Sequence, residues 1–161
     1  MSKAYYIGVE IGGTKQQLAV GLSDGTILDS RQVKLVYRRG AEDILDWLSD
    51  NIREYLAMAP YAGHIAGIGV GFGGPLETAT GRVLSSLQVP GWKNFQLKQW
   101  FETEFGLPVM VVNDTVTGGF AELYKGAGRN SENFFYTNIG TGIGGGLYIH
   151  RKYYDGSGYL P

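Results

Sequence analysis

The spacing of apolar residues alternates between a two-residue and a helical period along the chain. Tyr5 to Val9 is a run of aromatic and β-branched residues that ends at an acid, Glu10. A glycine turn follows, Gly12-Gly13-Thr14, and then a second apolar run, Leu18 to Leu22. This predicts strand, turn and returning strand. Ser23-Asp24-Gly25-Thr26 is a turn signal, and Ile27 to Val36 predicts a third, partly alternating strand. From Glu42 to Met58 the period changes: Ile44, Leu45, Leu48, Ile52, Tyr55 and Leu56 recur at helical spacing. Glu42 and Asp43 occupy the first turn, where the helix dipole favours acids, and Pro60 ends the helix.

The second half of the pattern repeats the alternation. His64 to Phe72 predicts a buried strand entering Gly73-Gly74-Pro75. Leu97 to Phe105 predicts a short helix with Leu97, Trp100 and Phe101 inward, stopped at Gly106. Pro108 to Val112, an unbroken apolar run, predicts a central strand that ends at Asn113-Asp114. A helix from about Val116 to Lys125 follows, and Phe134 to Ile139 and Leu147 to Ile149 predict strands around the last glycine cluster. Three strands followed by alternating helices and strands indicate an α/β domain with a mixed sheet. The expected boundary lies near Thr117. Residues 1–117 then form the first domain, and 118–161 begin a second unit too small to bury its own apolar strands. Further chain beyond Pro161 or a partner is expected to cover them.

Composition narrows the functional classes. The 161 residues are 43% hydrophobic and 18% charged, enough for a globular core. A net charge of −1 without a long basic run argues against a nucleic-acid binder. There is no cysteine, hence no disulfide framework and no thiolate metal site. Met1-Ser2-Lys3 leads straight into the first strand and no apolar run reaches membrane-spanning length, so a cytoplasmic protein is the expectation. Glycine is the outlier: 26 residues, about twice the average usage, clustered at 67–74, 118–128 and 140–146.

These clusters hold the candidate chemistry. Paired glycines before a hydroxyl, as in Gly12-Gly13-Thr14, let backbone N–H groups approach an anion, and Glu10 beside them could hold a cation. A plain β-hairpin fits the same stretch equally. Gly140-Thr141-Gly142 begins a second such turn, which suggests an anion gripped between the two. Formal G-x-G-x-x-G spacings occur at Gly69 and at Gly140, but Pro75 follows the first and a strand the second, so neither is a dinucleotide site. Asp114, at the carboxyl end of a buried strand, could accept a proton from a hydroxyl nucleophile, with Asn113 orienting it. The competing role is a helix N-cap made by Asp114 or Thr115. His64 and His150 lack partners at metal spacing, Trp92 and Trp100 read as core or loop anchors, and Arg38-Arg39 as a solvated turn.

In this order the pieces resemble the ROK family (repressors, open reading frames and sugar kinases) of the actin-like, hexokinase-type ATPases. The family's Asp-Ile-Gly-Gly-Thr-Lys motif is similar to Glu10-Ile11-Gly12-Gly13-Thr14-Lys15, and its Gly-x-Pro-Gly-Pro loop to Gly71-Phe72-Gly73-Gly74-Pro75. Its Leu-Pro-Gly-Trp segment resembles Val89-Pro90-Gly91-Trp92, and its Asn-Asp pair Asn113-Asp114. Gly-Thr-Gly-Ile-Gly-Gly-Gly is present unaltered at Gly140 to Gly146. The resemblance implies a ribonuclease H-like (actin-like ATPase) fold with a mixed five-stranded sheet, followed by the first hairpin of a second similar domain. It implies a glucokinase-like enzyme that uses ATP and Mg2+ to phosphorylate a hexose in a cleft between domains. Asp114 is then the general base, and Asn113, Gly74 and Gln88 bind the sugar. Gly12, Gly13, Thr14, Lys15, Thr141 and Gly142 hold phosphates, and Glu10 orients the metal. Partners would be a small sugar and a nucleotide, with no nucleic acid or membrane, and a homodimer is compatible.

Three departures mark this chain. Glu10 stands where the family has Asp, Gly73 where it has Pro, and Gln88 where it usually has Asn. The chain also ends before the family's Gly-Glu-x-Gly-His segment, its zinc site and its adenosine-binding part. The first strand leaves no room upstream for a helix-turn-helix, which argues against a regulator. A second reading, a sugar- or nucleotide-binding protein without turnover, rests on Glu10 and on the absent half.

Overall fold

The computed structural model describes residues 4–34, 39–86, 88–140, 142–156 and 159–160. Strand β1 (Tyr5–Ile11) buries every second side chain, Tyr5, Ile7, Val9 and Ile11, as a strand with one face on a core must. It pairs antiparallel with β2 (Gln16–Gly21), which in turn pairs with β3 (Ile27–Val33). On its other side β1 runs parallel to β4 (Ile65–Phe72), and β4 parallel to β7 (Val109–Asn113). The resulting five-stranded mixed sheet has the order β3-β2-β1-β4-β7. Helix α1 (Ala41–Ala57) connects the meander to β4, and α2 (Leu97–Phe105) precedes β7. Ile44, Leu48 and Ile52 of α1 and Leu97 and Phe101 of α2 are fully buried with the inward residues of β1, β2 and β4 in one core. Trp92 is a loop anchor in that core, edge-on to Phe72 and Phe95 at 5.3 and 5.2 Å between ring centres.

Helix α3 (Asp114–Lys125) leaves β7 without a linker and packs against a second, three-stranded sheet of order β10-β9-β8. Its strands are β8 (Phe134–Ile139), β9 (Ile143–Ile149) and β10 (Lys152–Tyr154). On the inner face Tyr148 is fully buried and donates to the Val116 carbonyl of α3 at 2.6 Å. Burial of that hydroxyl, beside Tyr153 and Tyr136, pushes its pKa up to about 12. The outer face carries Phe135, Ile139, Ile143, Leu147, Ile149 and Tyr154, all exposed. The short strands β5 (Leu76–Glu77), β6 (Arg82–Val83) and β11 (Tyr159–Leu160) form a small third sheet.

Several boundaries differ from those expected. The third strand ends at Val33; residues 35–38, including Arg38 and the end of the expected strand, lie outside the described residues. Arg39 is exposed and pairs with Asp43 and Asp46 at 2.8 and 2.7 Å. Helix α3 starts at Asp114 rather than Val116. Strand β9 starts at Ile143, so Gly144, Gly145 and Gly146 belong to a strand rather than to a turn. Strands β5, β6 and β10 have two or three residues each, too few for a period to show.

Candidate active site

The carboxyl ends of β1, β4 and β7 meet at one edge of the five-stranded sheet, and the loops that leave them are tied together. Gly73 N–H donates to the Ile11 carbonyl at 2.8 Å, joining the end of β4 to the end of β1. Gln16 is fully buried and donates through Nε2 to the Gly12 carbonyl at 2.7 Å, bracing the glycine turn from below. Asn113 joins the third loop: its Nδ2 donates to the Gly74 carbonyl at 3.3 Å, while its Oδ1 accepts from Thr115 N–H at 2.9 Å.

That last bond makes Asn113 the N-cap of α3. The competing role, a cap made by Asp114 or Thr115, is therefore not the one the structure shows. The physical reason is that the helix begins directly at the end of β7, which moves the cap one residue upstream. Asp114 becomes the first residue of α3, at the positive end of its dipole, with Oδ1 accepting from its neighbour's N–H at 2.7 Å. A Cβ at position 73 would come 3.0 Å from Asp114 Oδ2, so glycine in place of the family's proline leaves that oxygen space.

Two cavities open on either side of Asp114. The larger, of about 380 Å³, is lined by Gly13, Gly74, Gln88, Asn113, Gly140 and Gly142, among others. The smaller, of about 290 Å³, is lined by Glu10, Gly71, Thr117, Gly118 and Tyr136. Asp114 and Asn138 are the two residues that line both. Strand β9 closes on the helix start so tightly that a Cβ on Gly144 would fall 2.1 Å from Thr115 Oγ1. The second sheet thus contributes Gly140, Gly142 and Asn138 to a cleft whose other wall is the first sheet.

Most of the residues expected at a site come together here. Glu10, Gly13, Gly74, Gln88, Asn113, Asp114 and Gly142 all line one or both cavities. The Gln88 side chain lies against Gly13, where any Cβ would collide with it. Gly12 lines neither cavity, and its carbonyl accepts from Gln16 Nε2. Thr14 and Lys15 are exposed and line neither cavity; Lys15 Nζ donates to Gln17 Oε1 at 3.4 Å. Thr141 lies outside the described residues. Sequence reasoning missed Asn138, Tyr136, Gln16 and Gln17. For Gln16 a signal exists, because it shares the inward register of Leu18 and Val20 and so places a buried amide where the alternation demands an apolar residue.

The charge pattern defines what the cleft can accept. The cavity walls carry two carboxylates, Glu10 and Asp114, and no lysine or arginine among the described residues. An anion there depends on backbone N–H groups, on the start of α3 and on a cation. Among the described residues no three acids, histidines or cysteines gather as a metal cage. One or two carboxylates facing an anion pocket fit magnesium, which keeps its waters and takes phosphate oxygens.

Two sheets joined through a helix, with a glycine turn from each facing one carboxylate, are the organisation of the actin-like ATPase fold. The ROK family model matches residues 6–159, and the chain belongs to that family. A glucokinase of Halalkalibacterium halodurans is 33% identical over 153 residues, covering 91% of this chain and 44% of the relative. A β-glucoside kinase of Listeria innocua is 32% identical over 139 residues, covering 86% and 45%. A ROK family glucokinase from Streptomyces griseus, solved with glucose and AMPPNP, matches with a TM-score of 0.79 and 32% identity over 95% of this chain and 47% of that one. A ROK family transcriptional regulator, a homologue of the E. coli MLC protein, shares the fold with a TM-score of 0.82 at 23% identity, over 98% and 40% of the two chains. The chain spans about half the length of the curated relatives it matches. No helix among the described residues is long and apolar enough to cross a membrane.

Proposed function

We propose that the whole gene product phosphorylates a hexose hydroxyl from ATP, with Asp114 as the general base. The observation that carries this is the position of Asp114: it lines both cavities, between the two glycine turns, and is relieved of capping by Asn113. A sugar in the larger cavity would be held by Asn113, Gln88 and the Gly74 loop. Its hydroxyl oxygen forms a bond to the γ-phosphorus as the bond to the bridging oxygen of ADP breaks, and the proton passes to Asp114. The Gly12-Gly13-Thr14 turn would meet the phosphates from one side and Gly142 from the other, with Lys15, exposed and outside both cavities, at the margin. Magnesium at Glu10, with the donor's phosphates and water, would neutralise charge on the transferred group. Residues 1–117 and 118–161 would belong to the two lobes of the cleft.

The names of the relatives support a kinase over the reading without turnover, and Glu10 lines a cavity that Asp114 also lines. ADP release from the whole gene product, measured over a panel of hexoses with Asp114→Ala beside it, tests the proposal. Sugar-dependent ADP release that Asp114→Ala abolishes is the expected result. Sugar binding without any sugar phosphate would sink it.

A further inference from the structure

The longer acid at position 10 has a companion across the sheet. Glu10 and Gln17 are directly opposed in the β1–β2 register, both half-buried, on the face turned away from the main core. The Gln17 amide nitrogen donates to Glu10 Oε2, and its carbonyl oxygen accepts from Lys15 Nζ at 3.4 Å. With a partner on each end, the amide has one orientation that satisfies both, nitrogen towards Glu10.

We propose that Gln17 is the positioning residue of the metal site: it holds one oxygen of the Glu10 carboxylate and leaves the other for the cation. The inference rests on the reading of Glu10 as the metal's acid. Glutamate has one more rotatable bond than the family's aspartate, and its carboxylate reaches about one bond length further. Octahedral magnesium tolerates a misplaced ligand poorly, so a longer and looser acid needs a tether. An amide is suited to that task. It donates a hydrogen bond without neutralising the carboxylate, whereas lysine or arginine at position 17 would compete with the cation for its charge. Lys15 meets the amide rather than the acid, so the carboxylate keeps its charge for the cavity. An ordinary cross-strand contact would contribute to the sheet alone; a tether has a consequence for metal affinity.

The test is Mn2+ binding to the whole gene product in the presence of AMPPNP, read by water-proton relaxation so that turnover is not needed. The variants are Gln17→Ala, Glu10→Gln, Glu10→Asp and the double variant Glu10→Asp/Gln17→Ala. Gln17→Ala is expected to weaken Mn2+ about 10-fold, with hexose affinity and melting temperature unchanged. Aspartate is too short to reach the amide, so adding Gln17→Ala to Glu10→Asp is expected to cost nothing more. Three results overturn the inference while leaving Glu10 at the metal. They are Gln17→Ala binding Mn2+ like the unaltered protein while Glu10→Gln loses it, independent effects in the double variant, and a lowered melting temperature with unchanged Mn2+ affinity. Unchanged affinity in Glu10→Gln, or no Mn2+ binding by the unaltered protein, removes the metal reading itself and this inference with it.

Discussion

The two glycine turns are alike in sequence and unlike in support. Gly12-Gly13-Thr14 leaves the central strand of a five-stranded sheet, and the buried amide of Gln16 and the bond from Gly73 to Ile11 brace it. Gly140 to Gly142 leaves the edge strand of a three-stranded sheet, with Gly140 N–H bonded to the Gly142 carbonyl at 2.8 Å. One face of that sheet rests on α3. On the other, Ile139 and Ile143, flanking the turn, are each 80% exposed. The first turn is therefore braced within its own sheet, whereas the sheet that carries the second packs on one helix. Asp114, at the start of that helix, lines both cavities.

This contrast can be broken in stages. Asp114→Ala is expected to have the largest effect, about a 10³-fold loss of turnover in the whole gene product. Sugar affinity, followed by calorimetry, should fall far less than turnover, because the variant keeps the Asn113 cap and the other residues that line the larger cavity. In the 161-residue chain, Ile44→Ala beneath the five-stranded sheet should cost about 3 kcal/mol in denaturant unfolding, through transfer and cavity costs. Phe135→Ala, 65% exposed on the second sheet, should cost less than about 0.5 kcal/mol. Equal losses in the two variants would mean that the outer face is not open.

Tyr148→Phe should cost less than Ile44→Ala, about 1 kcal/mol, because it deletes the bond to the Val116 carbonyl without leaving a cavity. Its signature is faster amide exchange in β8 and β9 with β1 and β2 unchanged; uniform acceleration would show that the two sheets unfold as one unit. Alkali adds a pH-dependent test. Burial raises the hydroxyl of Tyr55 on α1, and that of Tyr148 on β9, from the ordinary 10.0 to about 12. The unfolded chain thus releases these protons first. The stability from keeping them neutral is complete below pH 10 and is lost as pH rises towards about 12. Thermal melting between those limits should decline, and less steeply for Tyr148→Phe; an unaltered slope would refute a role for that hydroxyl.

Much of the fold was legible because it is written in short-range patterns. The helix over 97–105 and the strand over 134–139 match the apolar spacing residue for residue, and Gly106 stops α2 in a left-handed cap. The glycine-rich strand β9 was not legible. Glycine reads as a turn, but here Gly144 is what lets a strand pass against Thr115. The site divided in the same way: the motifs carrying Gly13, Asn113 and Asp114 stand out in one dimension. Asn138 does not, because its importance comes from facing the cavities that Asp114 also lines, across a gap between two sheets.

The sequence by itself determined the alternation of strands and helices, the two glycine turns and the acid that follows the last strand of the first sheet. Each depends on neighbours a few residues away, through side-chain period and backbone freedom. Only the tertiary structure decided that Asn113 rather than Asp114 caps α3, and that Gln17 rather than Lys15 reaches Glu10. It also decided that the two turns open on one cleft. Those outcomes depend on strand register and on the approach of one sheet to another, which contacts between distant parts of the chain set.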